Sequence, residues 1–340
     1  MVAFDPSAAA APDSGVFGLP HDEHEAAIVL IPVPFAATVS YGGGAERGPS
    51  AILAASRQVD LYDHQFGRAY ELGIHMLEPD PILSVMHEQT RDLCAPIVAR
   101  GGSLPEDAES IGAIDAAGEL VNAIAHGTAQ QLFAAGKIVG VVGGDHSVPF
   151  GAIRAAAAAF PGLGVLHVDA HADLRVAYEG FRWSHASIFH NVLEEVNGVA
   201  RLVQVGIRDF SEDELRTIHG SQGRIVTHFD QEWRRRQFCG VTFDALCQEV
   251  LAALPHHVWL SIDIDGLDPA LCPSTGTPVP GGLSFAELAH LLGVVVASGR
   301  RVVGFDLVEV APGAGEWDAN VGARVLYKLC GAALASRRSS

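Results

Sequence analysis

Basic residues are scarce in this chain. Its 340 residues include 22 lysines and arginines against 40 aspartates and glutamates, a net charge of −18 at pH 7. Nucleic acids and anionic membranes are drawn to basic patches, so neither is expected as a partner. An acidic surface aids solubility and also suits a small cationic substrate. The five cysteines, Cys94, Cys239, Cys247, Cys272 and Cys330, are scattered, odd in number and without a C-x-x-C pair. That argues against a disulfide framework or a zinc knuckle. The first thirty residues lack a basic start followed by an apolar signal core, and no apolar run is long enough for a bilayer span. A cytoplasmic location is the expectation. Internal repeats and long Gly/Ser linkers are also missing, which favours a single domain over residues 26–340. Residues 1–25 are rich in Ala, Pro, Asp and His and are expected to form a loose or partner-packed arm.

What the chain does have is apolar sequence: 49% hydrophobic residues, enough for a large core. Short apolar runs read as strands over 27–31, 72–76, 138–142, 164–168, 202–205, 224–226, 258–264 and 302–307. Helical patterns lie over 114–135, 149–159, 243–254, 284–297 and 321–335, and Ser284 with Glu287 reads as a capping box. The strands are near-continuously apolar rather than alternating, which points to a mostly parallel sheet covered on both faces. The stretch 79–112, with Pro81, Gly101, Gly102 and Pro105, is the least periodic and reads as an insertion or an oligomer contact.

Three of the apolar runs end in metal-type ligands: Gly-Gly-Asp-His-Ser at 143–147, Asp-Ala-His-Ala-Asp at 169–173 and Ser-Ile-Asp-Ile-Asp at 261–265. Ligands just past the ends of buried strands converge in an α/β sheet. Asp169, His171 and Asp173 stand at alternate positions, so an extended segment would turn all three to one face. Asp263 and Asp265 repeat the pattern, and His146 adds a second imidazole. Four carboxylates and two histidines suit two divalent ions about 3.5–4 Å apart with a bridging water. The mixed O/N set favours Mn²⁺ and tolerates Ni²⁺, Co²⁺ or Zn²⁺. Asp268 before Pro269 reads as a turn former, and His167 as a core histidine rather than a ligand.

These three motifs, in this order, resemble the signatures of the ureohydrolases, the arginase and agmatinase family, and the likeness runs from about residue 28 to 335. It includes Pro34-Phe35, the Gly42–Gly44 loop with Gly48-Pro49, and the segment Thr277–Gly282. The resemblance implies a three-layer α/β/α fold with a mostly parallel, about eight-stranded sheet, a fold shared with deacetylases. It implies His146, Asp169, His171, Asp173, Asp263 and Asp265 as ligands of two ions, Mn²⁺ or in some branches Ni²⁺. The implied reaction is hydrolysis of a guanidino compound to urea and an amine by a bridging hydroxide. Glu309, ending the last strand, matches the family's guanidinium clamp. His185 matches the arginase proton shuttle, with Asp173 an alternative proton donor and His190 a weaker one. Thr277 falls in the substrate loop. Gly206-Ile207-Arg208-Asp209 is similar to a stretch that reads an α-amino group in arginases, but Ser211-Glu212 departs from it. An agmatine-like substrate is therefore expected, with free guanidine, arginine or a guanidino acid as alternatives and Trp317 as a cap for a short pocket. A single-zinc deacetylase would need a tandem histidine pair at the metal, for which only His256-His257 is available. A non-catalytic subunit would be expected to have lost ligands. The family implies a homo-oligomer, trimer or hexamer.

Overall fold

A computed structural model describes residues 4–338. Among these residues eight strands form one sheet: β1 (Ile28–Val33), β2 (Ile74–Met76), β3 (Ile138–Gly143), β4 (Leu163–Val168), β5 (Val199–Ile207), β6 (Ile225–Phe229), β7 (His257–Asp263) and β8 (Arg301–Val308). All pairings are parallel, in the order β2-β1-β3-β8-β7-β4-β5-β6. Every residue of β1, β3 and β4 is buried, because successive side chains enter opposite layers and both layers are covered. Ile28 and Leu30 join one apolar core, whereas Val29, Ile31 and Val33 join the other. The sheet is therefore the middle layer of an α/β/α sandwich.

Among the described residues ten helices surround it: α1 (Gly48–Ser56), α2 (Pro81–Ala99), α3 (Ala108–Ala134), α4 (Phe150–Ala159), α5 (Ile188–Glu195), α6 (Glu212–Gly220), α7 (Asp230–Phe238), α8 (Phe243–Ala253), α9 (Phe285–Ala297) and α10 (Trp317–Arg338). Ser284 caps α9 as a capping box with Glu287. The stretch 79–112, aperiodic in sequence, is regular in structure. It holds α2, started by the Asp80 cap and Pro81 and continuing through Pro96, and the first turn of α3. Leu83, Met86, Cys94 and Ile97 of α2 are buried in the second core, so tertiary packing holds a helix whose prolines break the local pattern. The 1–25 segment is not uniformly loose either. Val16, Phe17 and Leu19 enter the first core, and the Phe17 ring meets Tyr327 edge-on at 4.8 Å.

Gly304 of β8 carries a role no motif announces. A Cβ there would lie 2.3 Å from the Trp259 ring of β7, and Trp259 Nε1 donates to Asp306 Oδ2 at 2.6 Å. Gly304→Ala is expected to cost about 1–3 kcal/mol by overpacking. Chemical denaturation measures this; unchanged stability would show that the indole can move away freely.

Candidate active site

The strands that end in the three motifs, together with β8, are the four central neighbours β3-β8-β7-β4. Their carboxyl ends therefore release His146, Glu309, Asp263 with Asp265, and Asp169 to Asp173 at one place. His146 Nδ1 stands 3.0 Å from Asp169 Oδ2, 3.1 Å from Asp173 Oδ2 and 3.3 Å from Asp263 Oδ2. His171 Nδ1 stands 3.1 Å from Asp265 Oδ2 and 3.4 Å from Asp169 Oδ1. Two groups of ligand atoms result, each within 4.8 Å and sharing Asp169: one includes His146, Asp169 and Asp173, the other Asp169, His171 and Asp265.

Alternation does not explain this convergence. Asp173 has left the extended conformation for the left-handed region at φ 54°, and so its carboxylate meets His146 while His171 turns to Asp265. Glu309 is also left-handed, at φ 61°. Non-glycine residues seldom adopt this conformation, and it costs on the order of 1–3 kcal/mol. At Glu309 the bend brings Oε1 to the His146 N–H at 3.0 Å, and Thr275 Oγ1 donates to the Glu309 carbonyl at 2.9 Å.

The electrostatics show a site short of positive charge. Asp169, Asp173, Asp263, Asp265 and Glu309 are all buried. Among the described residues no lysine or arginine forms an ion pair with any of them. Burial, with the charge of Asp169, pushes Asp173 up to about 7; burial and neighbouring acids push Asp263 and Asp265 up too, and burial with Asp145 raises Glu309. Asp169 goes the other way: burial would raise it, but His167, His146 and His171 hold it well below the usual carboxylate range. Burial would lower His171, yet Asp265 and Asp169 carry it up to about 12. Four of these acids, Asp169, Asp173, Asp263 and Asp265, with only imidazoles to balance them, are the kind of donor set that holds divalent cations, so they fit the two ions the motifs imply.

Residues to which the motifs gave no role in the site also support the cluster. Asp306 Oδ1 accepts from Ser261 Oγ at 2.9 Å, and Ser261 Oγ is 3.0 Å from His146 Nε2, so Nδ1 is the nitrogen that faces the carboxylates. Thr38 Oγ1 accepts from the His185 N–H at 3.3 Å and is 3.4 Å from Asp145 Oδ2. His167 is fully buried, as a core histidine would be, yet it also contacts Asp169 at 2.8 Å.

Above the cluster lies a cavity of about 490 Å³ whose lining includes His171, Asp173, His185 and Thr277. Burial, His171 and His146 push His185 down to about 3, leaving a neutral imidazole, with Tyr178 edge-on at 5.9 Å. Thr277 Oγ1 is also 3.4 Å from Asp265 Oδ2. Glu309 is not part of the cavity lining; Gly42 and Gly276 pack together, with Gly276 beside the Glu309 carboxylate. A Cβ on Gly42, at φ 69°, would strike the Gly276 carbonyl at 2.9 Å, and one on Gly276 would sit 3.7 Å from Glu309 Oε2. Some expected residues lie elsewhere. Trp317 is exposed, donates to the Ala270 carbonyl and does not line the cavity. His190 lines a separate groove with Leu193 and Thr217. The Arg208 guanidinium is taken up by the carbonyls of Asp265, Leu267 and Val279, so it braces two loops. The His256 and His257 rings meet edge-on at the start of β7, the end of the strand away from the cluster, which removes the basis for a deacetylase site.

An α/β/α sandwich with a buried carboxylate–histidine cluster beyond its central strands is built around a divalent-cation site. The chain belongs to the arginase family, whose model matches residues 26–331, and it is a ureohydrolase, a hydrolase acting on C–N bonds of linear amidines. It is 37% identical over 309 residues to the N(1)-aminopropylagmatine ureohydrolase of Thermus thermophilus, covering 90% of each chain. It is 34% identical to the proclavaminate amidinohydrolase of Streptomyces clavuligerus, over 86% of this chain and 84% of that one. Among solved structures, the arginase from Bacillus caldovelox superposes with a TM-score of 0.66 at 25% identity, over 89% of this chain and 98% of that one.

Proposed function

We propose that this enzyme hydrolyses a guanidino compound whose tail carries a second positive charge, releasing urea and an amine, as agmatine or an N-substituted agmatine would. The observation that carries this reading is Asp209. It is exposed on the cavity wall, and among the described residues no cation pairs with it. Arg175, the cation on the same wall, is 3.7 Å from Glu214 Oε2 and packs on Tyr178 at 4.8 Å. Its charge is already balanced, which disfavours a substrate with an anionic tail. Tyr41 and Tyr178 supply walls for the methylene chain. The name of the Thermus relative agrees with such a substrate.

His146, Asp169, Asp173 and Asp263 would hold one divalent ion, and Asp169, His171 and Asp265 a second, Mn²⁺ before Ni²⁺. When bound, such a pair supplies a water acidic enough to act as nucleophile near neutral pH. The rest falls to the chain's own groups. Glu309 Oε1 is held by the His146 N–H, which leaves Oε2, beside Gly276, to accept from the guanidinium edge. Thr277 borders the guanidinium slot. His185, neutral and on the cavity wall, would with Asp173 relay the proton given up by the attacking water to the departing amine nitrogen. Fixing the guanidinium plane against these groups removes orientational entropy from the reaction. A homo-oligomer, trimer or hexamer, is part of the same reading; light scattering tests it.

The test is urea release by metal-stripped protein reloaded with Mn²⁺ or Ni²⁺, given agmatine, aminopropylagmatine, arginine, guanidinobutyrate, guanidinopropionate or guanidine. Preference for the two dicationic amines supports the reading; preference for a guanidino acid or for guanidine overturns the substrate assignment. Asp209→Asn is expected to raise KM for the preferred amine about fivefold with kcat nearly unchanged, the effect of an exposed ion pair that binds ground and transition states alike. An unchanged KM would remove Asp209 from tail recognition.

A further inference from the structure

One buried polar chain next to the cluster has no part in the reaction described above. Thr227 Oγ1, on β6, donates to Gln204 Oε1 at 2.8 Å. Gln204, on β5, presents Nε2 to the Ala172 carbonyl at 2.8 Å and to His167 Nδ1 at 3.1 Å. His167, on β4, places Nε2 2.8 Å from Asp169 Oδ2. His167, Asp169 and Gln204 are all fully buried, so no bulk water can exchange with these contacts.

The direction of every hydrogen bond follows from one fixed acceptor. A backbone carbonyl cannot donate, so the Gln204 group facing Ala172 is the amide nitrogen. The same nitrogen faces His167 Nδ1, which must therefore accept. A proton on Nδ1 would set donor against donor in a site that water cannot reach. His167 accordingly carries its proton on Nε2 and donates it to Asp169 Oδ2. A nitrogen that holds a proton has no lone pair for a metal. Although Nε2 lies within reach of the ligand atoms of His146, Asp169 and Asp173, it cannot join them. The Phe189 ring packs at 4.2 Å from the His167 ring and at 5.5 Å from His146, holding both imidazoles in place.

We propose that His167, locked by Gln204 in its Nε2–H form, is a positioning residue that aims Asp169 at the cation cluster and is not itself a ligand. Asp169 belongs to both groups of ligand atoms, so its rotation would disturb both. His167 occupies one lone pair of Oδ2 and leaves the other directed toward His146 Nδ1, 3.0 Å away. This inference rests on Asp169 being a shared ligand.

The test reads metal binding rather than turnover: stripped full-length protein is titrated with Mn²⁺ against a chelating indicator. His167→Phe removes the donor and is expected to weaken binding about 10- to 100-fold while two ions per chain still bind at saturation. His167→Gln, whose amide nitrogen reaches the Nε2 position, is expected to recover most of the loss. Gln204→Met leaves the imidazole but frees its tautomer, and is expected to weaken binding severalfold. It carries the test if His167→Phe does not fold. Unchanged affinity in His167→Phe, or in Gln204→Met where His167→Phe does not fold, overturns the proposal. So does a drop to one ion per chain in both His167 variants, which would make His167 a ligand. Asp169→Asn separates the two levels. If it keeps full affinity, the shared-ligand reading fails; if it loses the ions while His167→Phe keeps them, only the His167 inference fails.

Discussion

Asp169→Asn is expected to lose bound metal and urea release together, the latter by about three orders of magnitude or more. The size of the effect follows from position. Asp169 is the member common to both ligand groups, and histidines approach both of its oxygens, His146 and His167 at Oδ2 and His171 at Oδ1. These three hold it well below the ordinary carboxylate range, so it contributes full negative charge where the neighbouring acids are pushed upward. An asparagine keeps the volume, removes the charge and turns an amide N–H toward at least one of those groups. Metal content of the purified protein and urea release are measured side by side. In the wild type, added Mn²⁺ should also raise the unfolding temperature, since cations bind the folded cluster and relieve its buried acids; the variant should lose that response. Retained metal with retained turnover would show that the cluster is not the catalytic centre.

Glu309→Gln should behave differently, keeping its metal and losing turnover. Glu309 is not among the grouped ligand atoms. Its Oε1 is occupied by the His146 N–H at 3.0 Å, a contact that a glutamine oxygen preserves. What disappears is the carboxylate that the proposed clamp would turn to the guanidinium, worth about a hundred- to a thousandfold in kcat/KM for one preorganised charged contact. The strained conformation at φ 61° belongs to the backbone and survives the substitution. Metal analysis and steady-state kinetics together decide the matter. Normal turnover would end the clamp assignment, and loss of metal would make Glu309 a ligand.

Much of this was legible in the chain because local pattern and burial coincide. Each of the eight strands overlaps a run read from the sequence, and β1, β3 and β4 are the plainest, since a strand covered on both faces has no polar side to show. The capping box at Ser284 and Glu287 is a local hydrogen-bond pattern and reads directly. The motif residues His146, Asp169, His171, Asp173, Asp263 and Asp265 follow such strands, and the fold brings them together. By contrast α2 was missed, because Pro81 and Pro96 obscure its periodicity and its stability comes from the core it joins. Trp317 was misplaced because an aromatic near a pocket motif in sequence need not be near it in space.

By itself, the sequence determined the layer architecture and the chemical kind of the site, since hydrophobic periodicity and ligand type are properties of each segment alone. The tertiary structure decided the rest through strand order. Placing β3, β8, β7 and β4 side by side is what makes neighbours of His146, Glu309, Asp263 and Asp169. It also decided what surrounds them: left-handed backbone at Asp173 and Glu309, Asp209 on the same cavity wall as an Arg175 that faces Glu214, and His167 tied through Gln204. Each of these depends on contacts between segments far apart in the chain, and no local pattern encodes such contacts.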